Sequence, residues 1–250
     1  MISKNIIKFI HSLEKKKNRK AEGLFVAEGP KVVGDLMRRN IPVTIIATAE
    51  WINGNNPNCG NIIEVNEEEL RKVSFLQHPQ QVLALFPIPD KNLPAPVSEI
   101  PADKLYIALD GVQDPGNLGT IIRIADWFGI DTILCSHDTA DAYNPKVVQA
   151  TMGSIAGVHL LYTDLADTLS RLSCKMSIYG TLLEGKDIYK EELSSNGVIV
   201  FGNEGKGISP TIRRLIDHEI LIPCFNSGNT AESLNVAIAT AITCSEFRRR

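Results

Sequence analysis

Residues 109–126 read LDGVQDPGNLGTIIRIAD and join an apolar run, residues 105–109, to a segment with helical periodicity. The apolar residues of that segment recur every three or four positions, at Leu118, Ile121, Ile122, Ala125 and Phe128. The joining loop is rich in glycine, which lets the backbone approach a ligand closely, and asparagine supplies uncharged donors and acceptors. The stretch therefore predicts a strand, a ligand-facing loop and a helix, which is the repeating unit of a parallel α/β sheet.

Two later segments repeat this pattern of an apolar run followed by a glycine- and asparagine-rich loop. They read VIVFGNEGKGIS (198–209) and IPCFNSGNTAESLNVAIA (222–239). Strand-like runs alternate with helical patterns in this part of the chain, at residues 105–109, 132–135, 158–162, 176–179, 198–201 and 220–222, and a last helix is predicted from about Ala231. Turn chemistry alone explains any single loop, but three loops at the carboxyl ends of parallel strands predict a shared binding crevice.

The loops do not match the common nucleotide-binding motifs. Residues 202–207, GNEGKG, lack the GxxxxGK and following Ser or Thr of a P-loop, and residues 111–120 lack GxGxxG. HExxH and GxSxG are absent from the chain. The five cysteines are widely spaced and form no CxxC or Cys/His cluster, so a structural thiol is favoured over a catalytic one, also at Cys224, and no metal site is expected.

A smaller α/β unit precedes this sheet. Helices are predicted through residues 6–13 and 30–39 and after Asn66, and apolar segments or strands at residues 24–26, 43–46, 62–65 and 82–86, with a loop at residues 54–60. Periodicity is then lost where prolines accumulate, at Pro87, Pro89, Pro94, Pro96 and Pro101. We therefore predict an N-terminal domain of residues 1–93, a linker of residues 94–103 and a second domain of residues 104–250.

Charge is distributed unevenly between the two halves. Residues 1–93 contain 13 Lys and Arg against 10 Asp and Glu, and residues 94–250 contain 13 against 19, so the halves carry +3 and −6. A basic cluster near the N-terminus suits a phosphate backbone, although a solvated helix end is an equally ordinary explanation; it comprises Lys15, Lys16, Lys17, Arg19 and Lys20. The apolar runs are too short to cross a bilayer and no secretory signal is evident, so a cytoplasmic protein is expected.

The three loop segments, in this order, resemble the signature motifs of the SpoU/TrmH family of RNA 2′-O-ribose methyltransferases, within the SPOUT class. The likeness covers about residues 104–247 and includes DAYNPKVVQATMGS (141–154). Residues 1–90, with KNRKAEGLFVAEG and HPQQVLALF, resemble the family's N-terminal substrate-binding domain. The resemblance implies a deep trefoil knot, S-adenosylmethionine as cofactor, an obligate homodimer that shares its site, and RNA as substrate, with ribosomal RNA favoured over tRNA.

The resemblance also assigns the site residues. It makes Arg123 the catalytic arginine, for which a structural salt bridge is the plain alternative, and it adds Asn117, Glu204, Ser233 and Asn235. Because Asn117 and Arg123 lie on different sides of a helix, we expect Asn117 to be its N-cap. Cofactor contacts are expected from Thr181, Leu182, Gly202, Asn203, Gly205, Ile222, Pro223, Ser233 and Leu234, with no metal.

Two other functions fit the same fold. A non-catalytic RNA-binding or ribosome-assembly protein would keep the architecture without turnover, but Asn117, Arg123 and Glu204 are all present in this chain. Other SPOUT proteins methylate base nitrogens, whereas the NLGTIIR and SLN motifs favour the ribose. The sequence thus predicts an S-adenosylmethionine-dependent RNA 2′-O-methyltransferase.

Overall fold

The computed structural model describes residues 2–89, 100–226 and 233–249. Contacts divide the chain into two compact units: unit 1 is Met1–Asp90 with Asp141–Ala156, and unit 2 is Lys91–Ala140 with Gly157–Arg250. Residues 94–99 of the expected linker lie outside the described residues. Residues 141–156, which we expected within the second domain, pack in unit 1 instead.

Unit 1 is built on a mixed four-stranded sheet of order β1-β4-β2-β3. β1 and β2 pair antiparallel with β4, and β3 pairs parallel with β2. The strands are β1 (Leu24–Glu28), β2 (Thr44–Ala47), β3 (Ile62–Glu64) and β4 (Val82–Pro87). The helices are α1 (Lys4–Ser12), α2 (Lys16–Glu22), α3 (Pro30–Met37), α4 (Ala49–Asn55), α5 (Glu67–Val73) and α7 (Pro145–Thr151), which a 3-10 turn (Ser154–Ala156) follows.

Short polar side chains begin several of these helices. Asn66 and Glu69 form a reciprocal capping box at the start of α5, which accounts for the helix predicted after Asn66. Helices α2 and α4 were not predicted. α4 enters the expected loop and ends where Asn56 adopts a left-handed conformation, with φ at 41°.

Residues 141–156 are held in unit 1 by polar and aromatic contacts. The Arg19 side chain, 2% exposed, donates to the Asp141 carboxylate in a buried ion pair. The Tyr143 ring lies 4.9 Å from that of Phe25 on β1. Gly153 has φ at 96°, a conformation that other residues rarely adopt. This segment is therefore an integral part of unit 1.

Unit 2 contains an entirely parallel six-stranded sheet of order β10-β8-β9-β5-β6-β7. The strands are β5 (Leu105–Asp110), β6 (Thr132–Cys135), β7 (His159–Tyr162), β8 (Ile178–Asp187), β9 (Gly197–Gly202) and β10 (His218–Leu221). The helices are α6 (Pro115–Trp127), α8 (Leu165–Leu172), α9 (Pro210–Arg213) and α10 (Val236–Arg249). The α/β class with a parallel sheet is confirmed, and the trefoil knot stays a prediction.

The end of the chain differs from the predicted helix. Helix α10 begins at Val236 rather than at about Ala231, which lies outside the described residues. The reason is local, since Oδ1 of Asn235 accepts hydrogen bonds from the amides of Ala237 and Ile238 and so caps the helix. In the described parts of the chain, no helix is long and apolar enough to cross a bilayer.

Candidate functional site

The candidate site lies at the carboxyl ends of β5 and β9, which are neighbours in the parallel sheet. Asp110 at the end of β5 stands opposite Gly202 at the end of β9. The loops that follow the two strands therefore start side by side. One leads into α6 and the other is residues 203–209, so the predicted meeting of these loops is confirmed.

Residues 203–209 form a tight turn held together by Asn203. The amides of Asn203 and Gly207 donate to each other's carbonyl oxygens, at 3.0 and 2.9 Å. Oδ1 of Asn203 accepts from the amides of Gly205 and Lys206, both at 3.0 Å. Nδ2 of Asn203 donates to the Gly111 carbonyl at 2.7 Å, which ties this turn to the loop after β5.

The far end of the turn is fixed to β5 as well. The Ser209 amide donates to Oδ2 of Asp110 at 2.7 Å. At Gly202 a Cβ atom would lie 2.2 Å from the carbonyl carbon of Gly207, so a side chain there would force the turn open. The backbone of this loop is consequently fixed at both ends.

Glu204 projects from this turn to the start of α6. Its carboxylate accepts from the amides of Gln113 at 3.3 Å and Asp114 at 3.2 Å, and from Nδ2 of Asn117 at 3.0 Å. Burial acts to raise the pKa of Glu204, but the hydrogen bonds from Asn117 and from backbone amides outweigh it, and the pKa lies below its usual range. Glu204 is therefore an anion at neutral pH.

Asn117 lies between Glu204 and Asn235. Its Nδ2 donates to Glu204, and its Oδ1 accepts from Nδ2 of Asn235 at 2.9 Å. The expected N-cap role of Asn117 is wrong, because Asp114 caps α6 by accepting from the Asn117 amide at 2.8 Å. Pro115 occupies the first turn, where its missing amide hydrogen is not needed.

Arg123 lies on the exposed side of α6. Across residues 2–89, 100–226 and 233–249, no hydrogen bond or ion pair involves its guanidinium. The structural salt bridge considered as the alternative is therefore not seen within these ranges. The side chain is available to bind an anion from outside the chain.

A cavity of about 600 Å³ opens beside the turn and is bounded by β8, β9, β10 and α10. Eight of the nine expected cofactor residues line it, namely Thr181, Leu182, Gly202, Asn203, Gly205, Ile222, Ser233 and Leu234; Pro223 does not. Glu204 and Asn235 also line it, whereas Asn117 and Arg123 do not. The structure thus brings these residues together, and their individual contacts with a ligand stay predictions.

The wall of this cavity includes residues that sequence reasoning missed. Val236, Ala239 and Thr243 lie one above another on α10, and Ile188 and Ile220 add apolar surface. Their helical spacing was a signal, but it reads equally well as a core face. The size and the mixture of apolar walls with backbone amides suit a nucleoside cofactor.

The basic cluster of unit 1 is divided by the structure. Lys15, Lys16, Lys17 and Lys20 are exposed, but Arg19 is buried. Besides Asp141, Arg19 donates to the carbonyls of Leu13 at 2.7 Å and Glu14 at 2.6 Å. Its expected RNA contact is therefore corrected to a structural role, because the side chain is buried and its Nη1 and Nη2 groups already donate to groups of the protein.

A larger cavity of about 940 Å³ lies in unit 1. Its wall is acidic, with Glu50, Glu64, Glu67 and Glu69, so it is poorly suited to a phosphate backbone. In the portion of the chain that is described, no three His, Cys, Asp or Glu side chains are grouped as metal ligands.

Comparison with known proteins gives two family matches. The model of the SpoU rRNA Methylase family matches residues 104–245, the range that holds the turn, α6 and the cavity. The model of an MRM3-like substrate binding domain matches residues 4–84.

Individual relatives agree with these matches. A 23S rRNA (guanosine(2553)-2′-O)-methyltransferase, RlmP of Bacillus subtilis, is 30% identical over 240 residues, covering 94% of this chain and 93% of its own. A protein of Porphyromonas gingivalis assigned to the TrmH family of RNA methyltransferases superimposes with a TM-score of 0.88 at 39% identity, covering 100% of this chain and 99% of its own. An AdoMet-bound rRNA methyltransferase from Sinorhizobium meliloti superimposes with a TM-score of 0.82 at 31% identity, covering 100% of this chain and 96% of its own.

Proposed function

Because the chain belongs to the SpoU rRNA Methylase family, we propose that it transfers a methyl group from S-adenosylmethionine to a ribose 2′-hydroxyl of ribosomal RNA. The observation that carries the proposal is the position of Glu204, Asn117 and Asn235, joined by hydrogen bonds at the edge of the cavity. Ribosomal RNA is favoured over tRNA because the Bacillus subtilis relative is named for 23S rRNA.

The cavity is assigned to the cofactor. When bound, S-adenosylmethionine supplies a methyl group on a sulfonium that is already electrophilic, so the reaction needs no metal. Apolar side chains such as Leu182 and Ile220 would enclose the adenine, and the fixed backbone of residues 202–207 would offer amides and carbonyls to the polar parts. The tight turn at Asn203 keeps these groups in place before the cofactor arrives.

Arg123 is assigned to the RNA. A guanidinium stays protonated in proteins, so it is a poor general base. We assign it to the phosphate beside the target ribose, where its charge also stabilises the developing alkoxide as the 2′-hydroxyl loses its proton. Its exposed position without an internal partner in the described residues supports this role.

The substrate also engages unit 1 in this proposal. The exposed Lys15, Lys16, Lys17 and Lys20 bind the RNA backbone, in the region that matches a substrate binding domain. Because ribosomal RNA is the substrate, the protein works in the cytoplasm.

Homodimerisation through unit 2 completes the proposal. Trp127 on α6 is 84% exposed and Ile238 on α10 is 52% exposed. These two helices pack against each other, so both apolar side chains belong to one layer of the unit. We assign the subunit interface to this helical layer, where a second copy would cover both exposed side chains.

The experiment is transfer of labelled methyl from S-adenosylmethionine to unmodified 23S ribosomal RNA and to bulk tRNA, followed by nucleoside analysis. The proposal expects 2′-O-methylated nucleoside from the ribosomal RNA. Label on a base would contradict the ribose assignment, and label only in tRNA would contradict the RNA class. Cofactor binding without transfer to either RNA would favour the non-catalytic RNA-binding protein.

A further inference from the structure

Most cations of unit 2 already have partners inside the protein. Six form salt bridges, namely Lys104, Arg171, Lys186, Lys190, Arg213 and Arg249. Arg248 donates to the carbonyls of Phe128 and Gly129, and Lys175 also has a partner. Among the described residues of this unit, three cations have no such partner: Arg123, Lys206 and Arg214.

Lys206 differs from the other two in its place at the site, since it lines the cavity beside Glu204. Its side chain is exposed, while its backbone amide is held by Oδ1 of Asn203 at 3.0 Å. The neighbouring carboxylate of Glu204 is occupied by Gln113 and Asn117. Lys206 therefore offers an exposed ammonium on a fixed backbone beside the cavity.

We propose that Lys206 binds a phosphate of the substrate RNA next to the target ribose and so positions its 2′-hydroxyl. This inference rests on the proposed function. A ribose within RNA is flanked by two phosphates, and Arg123 is assigned to only one of them. Residues 94–250 carry 13 basic against 19 acidic side chains, so an approaching polyanion needs a local cation here.

A phosphate explains Lys206 better than the cofactor does. The amino-acid end of S-adenosylmethionine carries an ammonium beside its carboxylate, and that ammonium repels a lysine. A phosphodiester has a negative charge without such compensation, and lysine binds it as a point charge. Measuring the KM for RNA and the KM for S-adenosylmethionine shows whether Lys206 binds the RNA phosphate or the carboxylate of the cofactor.

The test compares Lys206→Met, which removes the charge but keeps the length, with Lys206→Arg, which keeps the charge. Arg214→Met is the matched control, because it removes another unpartnered cation of the same unit that does not line the cavity. Initial rates are measured with unmodified 23S ribosomal RNA transcribed in vitro, with each substrate varied in turn and at several salt concentrations.

Lys206→Met is expected to raise the KM for RNA about three- to fivefold. The slope of log kcat/KM against log salt concentration should become shallower by about one, as for the loss of one phosphate contact. Lys206→Arg and Arg214→Met should resemble wild type, and the KM for S-adenosylmethionine should not change. A raised KM for the cofactor alone, or wild-type behaviour of Lys206→Met, would overturn the inference. Wild-type protein without transfer to RNA would instead refute the proposed function.

Discussion

Nδ2 of Asn235 donates a 2.9 Å hydrogen bond to Oδ1 of Asn117, across 118 positions of the sequence. The orientation of both amides follows from their other partners. Oδ1 of Asn235 faces amides of α10, so its Nδ2 must face Asn117, and Nδ2 of Asn117 must then face the Glu204 carboxylate. A carboxylate, two amides and a helix N-terminus thus form one ordered chain of hydrogen bonds at the site.

Asn235→Asp tests this chain of hydrogen bonds. Aspartate still caps α10, but it places an acceptor against Oδ1 of Asn117, and neither atom can donate. Both groups are open to solvent, which can satisfy them, so the melting temperature should change little. The orientation of Asn117 and Glu204 is lost, and we expect kcat to fall about tenfold. Single-turnover methyl transfer and thermal unfolding measure the two effects.

Asn66→Asp is the matched control for that substitution. Asn66 also caps a helix, α5, but its side chain accepts from Glu69 of the same helix and lies in unit 1. Aspartate caps a helix as well as asparagine does, so neither stability nor turnover should change. Equal activity of both variants would show that the contact between Asn235 and Asn117 is dispensable.

Glu204→Gln should lower methyl transfer without a new pH dependence in the neutral range. The pKa of Glu204 is depressed, so its anionic contacts are present above its unfolded pKa and are lost as the pH falls through the folded pKa. Glutamine keeps one acceptor but turns an NH2 group towards one of its donors. We expect kcat/KM to fall about tenfold, equally across neutral pH. A pH–rate profile of wild type and variant checks this expectation. A change of kcat/KM with pH in the neutral range that wild type shows and the variant lacks would contradict it.

The meeting of the loops after β5 and β9 was predictable because their signals are local. Each follows an apolar run, and parallel strands bring their carboxyl ends to one edge, so the approach of Gly202 to Asp110 follows from topology. The start of α6 was not predictable in the same way. Asp114 and Asn117 are both good caps, and only the structure shows that Asp114 accepts the amide hydrogen bond.

The basic cluster shows a second limit of sequence reasoning. Helix α2 has seven residues, which is too short for a clear periodicity, so its inward side chain could not be identified. The partner that makes burial of Arg19 tolerable, Asp141, is 122 positions away. A charge that is paired over such a distance looks identical in sequence to a solvated one.

Arg123→Ala should abolish turnover without loss of stability. Arg123 is exposed and has no internal partner in the described ranges, so its removal breaks no hydrogen bond or ion pair there. Arg123→Lys keeps the charge but loses the planar, bidentate geometry, and we expect only partial activity. Methyl transfer and thermal unfolding are measured together. Near-normal turnover of the alanine variant would make the catalytic assignment wrong.

Arg19 and its lysine neighbours should separate into two phenotypes. Arg19→Met leaves the Asp141 carboxylate without its buried partner, and breaking such a pair typically costs about 3 kcal/mol or more. Urea unfolding of the full chain should show this loss of stability. The exposed lysines behave differently: replacing Lys15, Lys16, Lys17 and Lys20 with glutamine should lower the free energy of unfolding much less than Arg19→Met does, because interactions of exposed charges are weak.

The lysine variant should instead bind RNA more weakly. Each lost contact with a phosphate lowers the slope of log K against log salt by about 0.7 to 0.9, so several lysines acting together give a measurable change. Filter binding of 23S ribosomal RNA at several salt concentrations gives affinity and slope at once. If both match wild type, the four lysines are solvated surface and the backbone contact lies elsewhere. If Arg19→Met weakened RNA binding with unchanged stability, its structural assignment would fail, because a buried ion pair cannot be removed without affecting the fold.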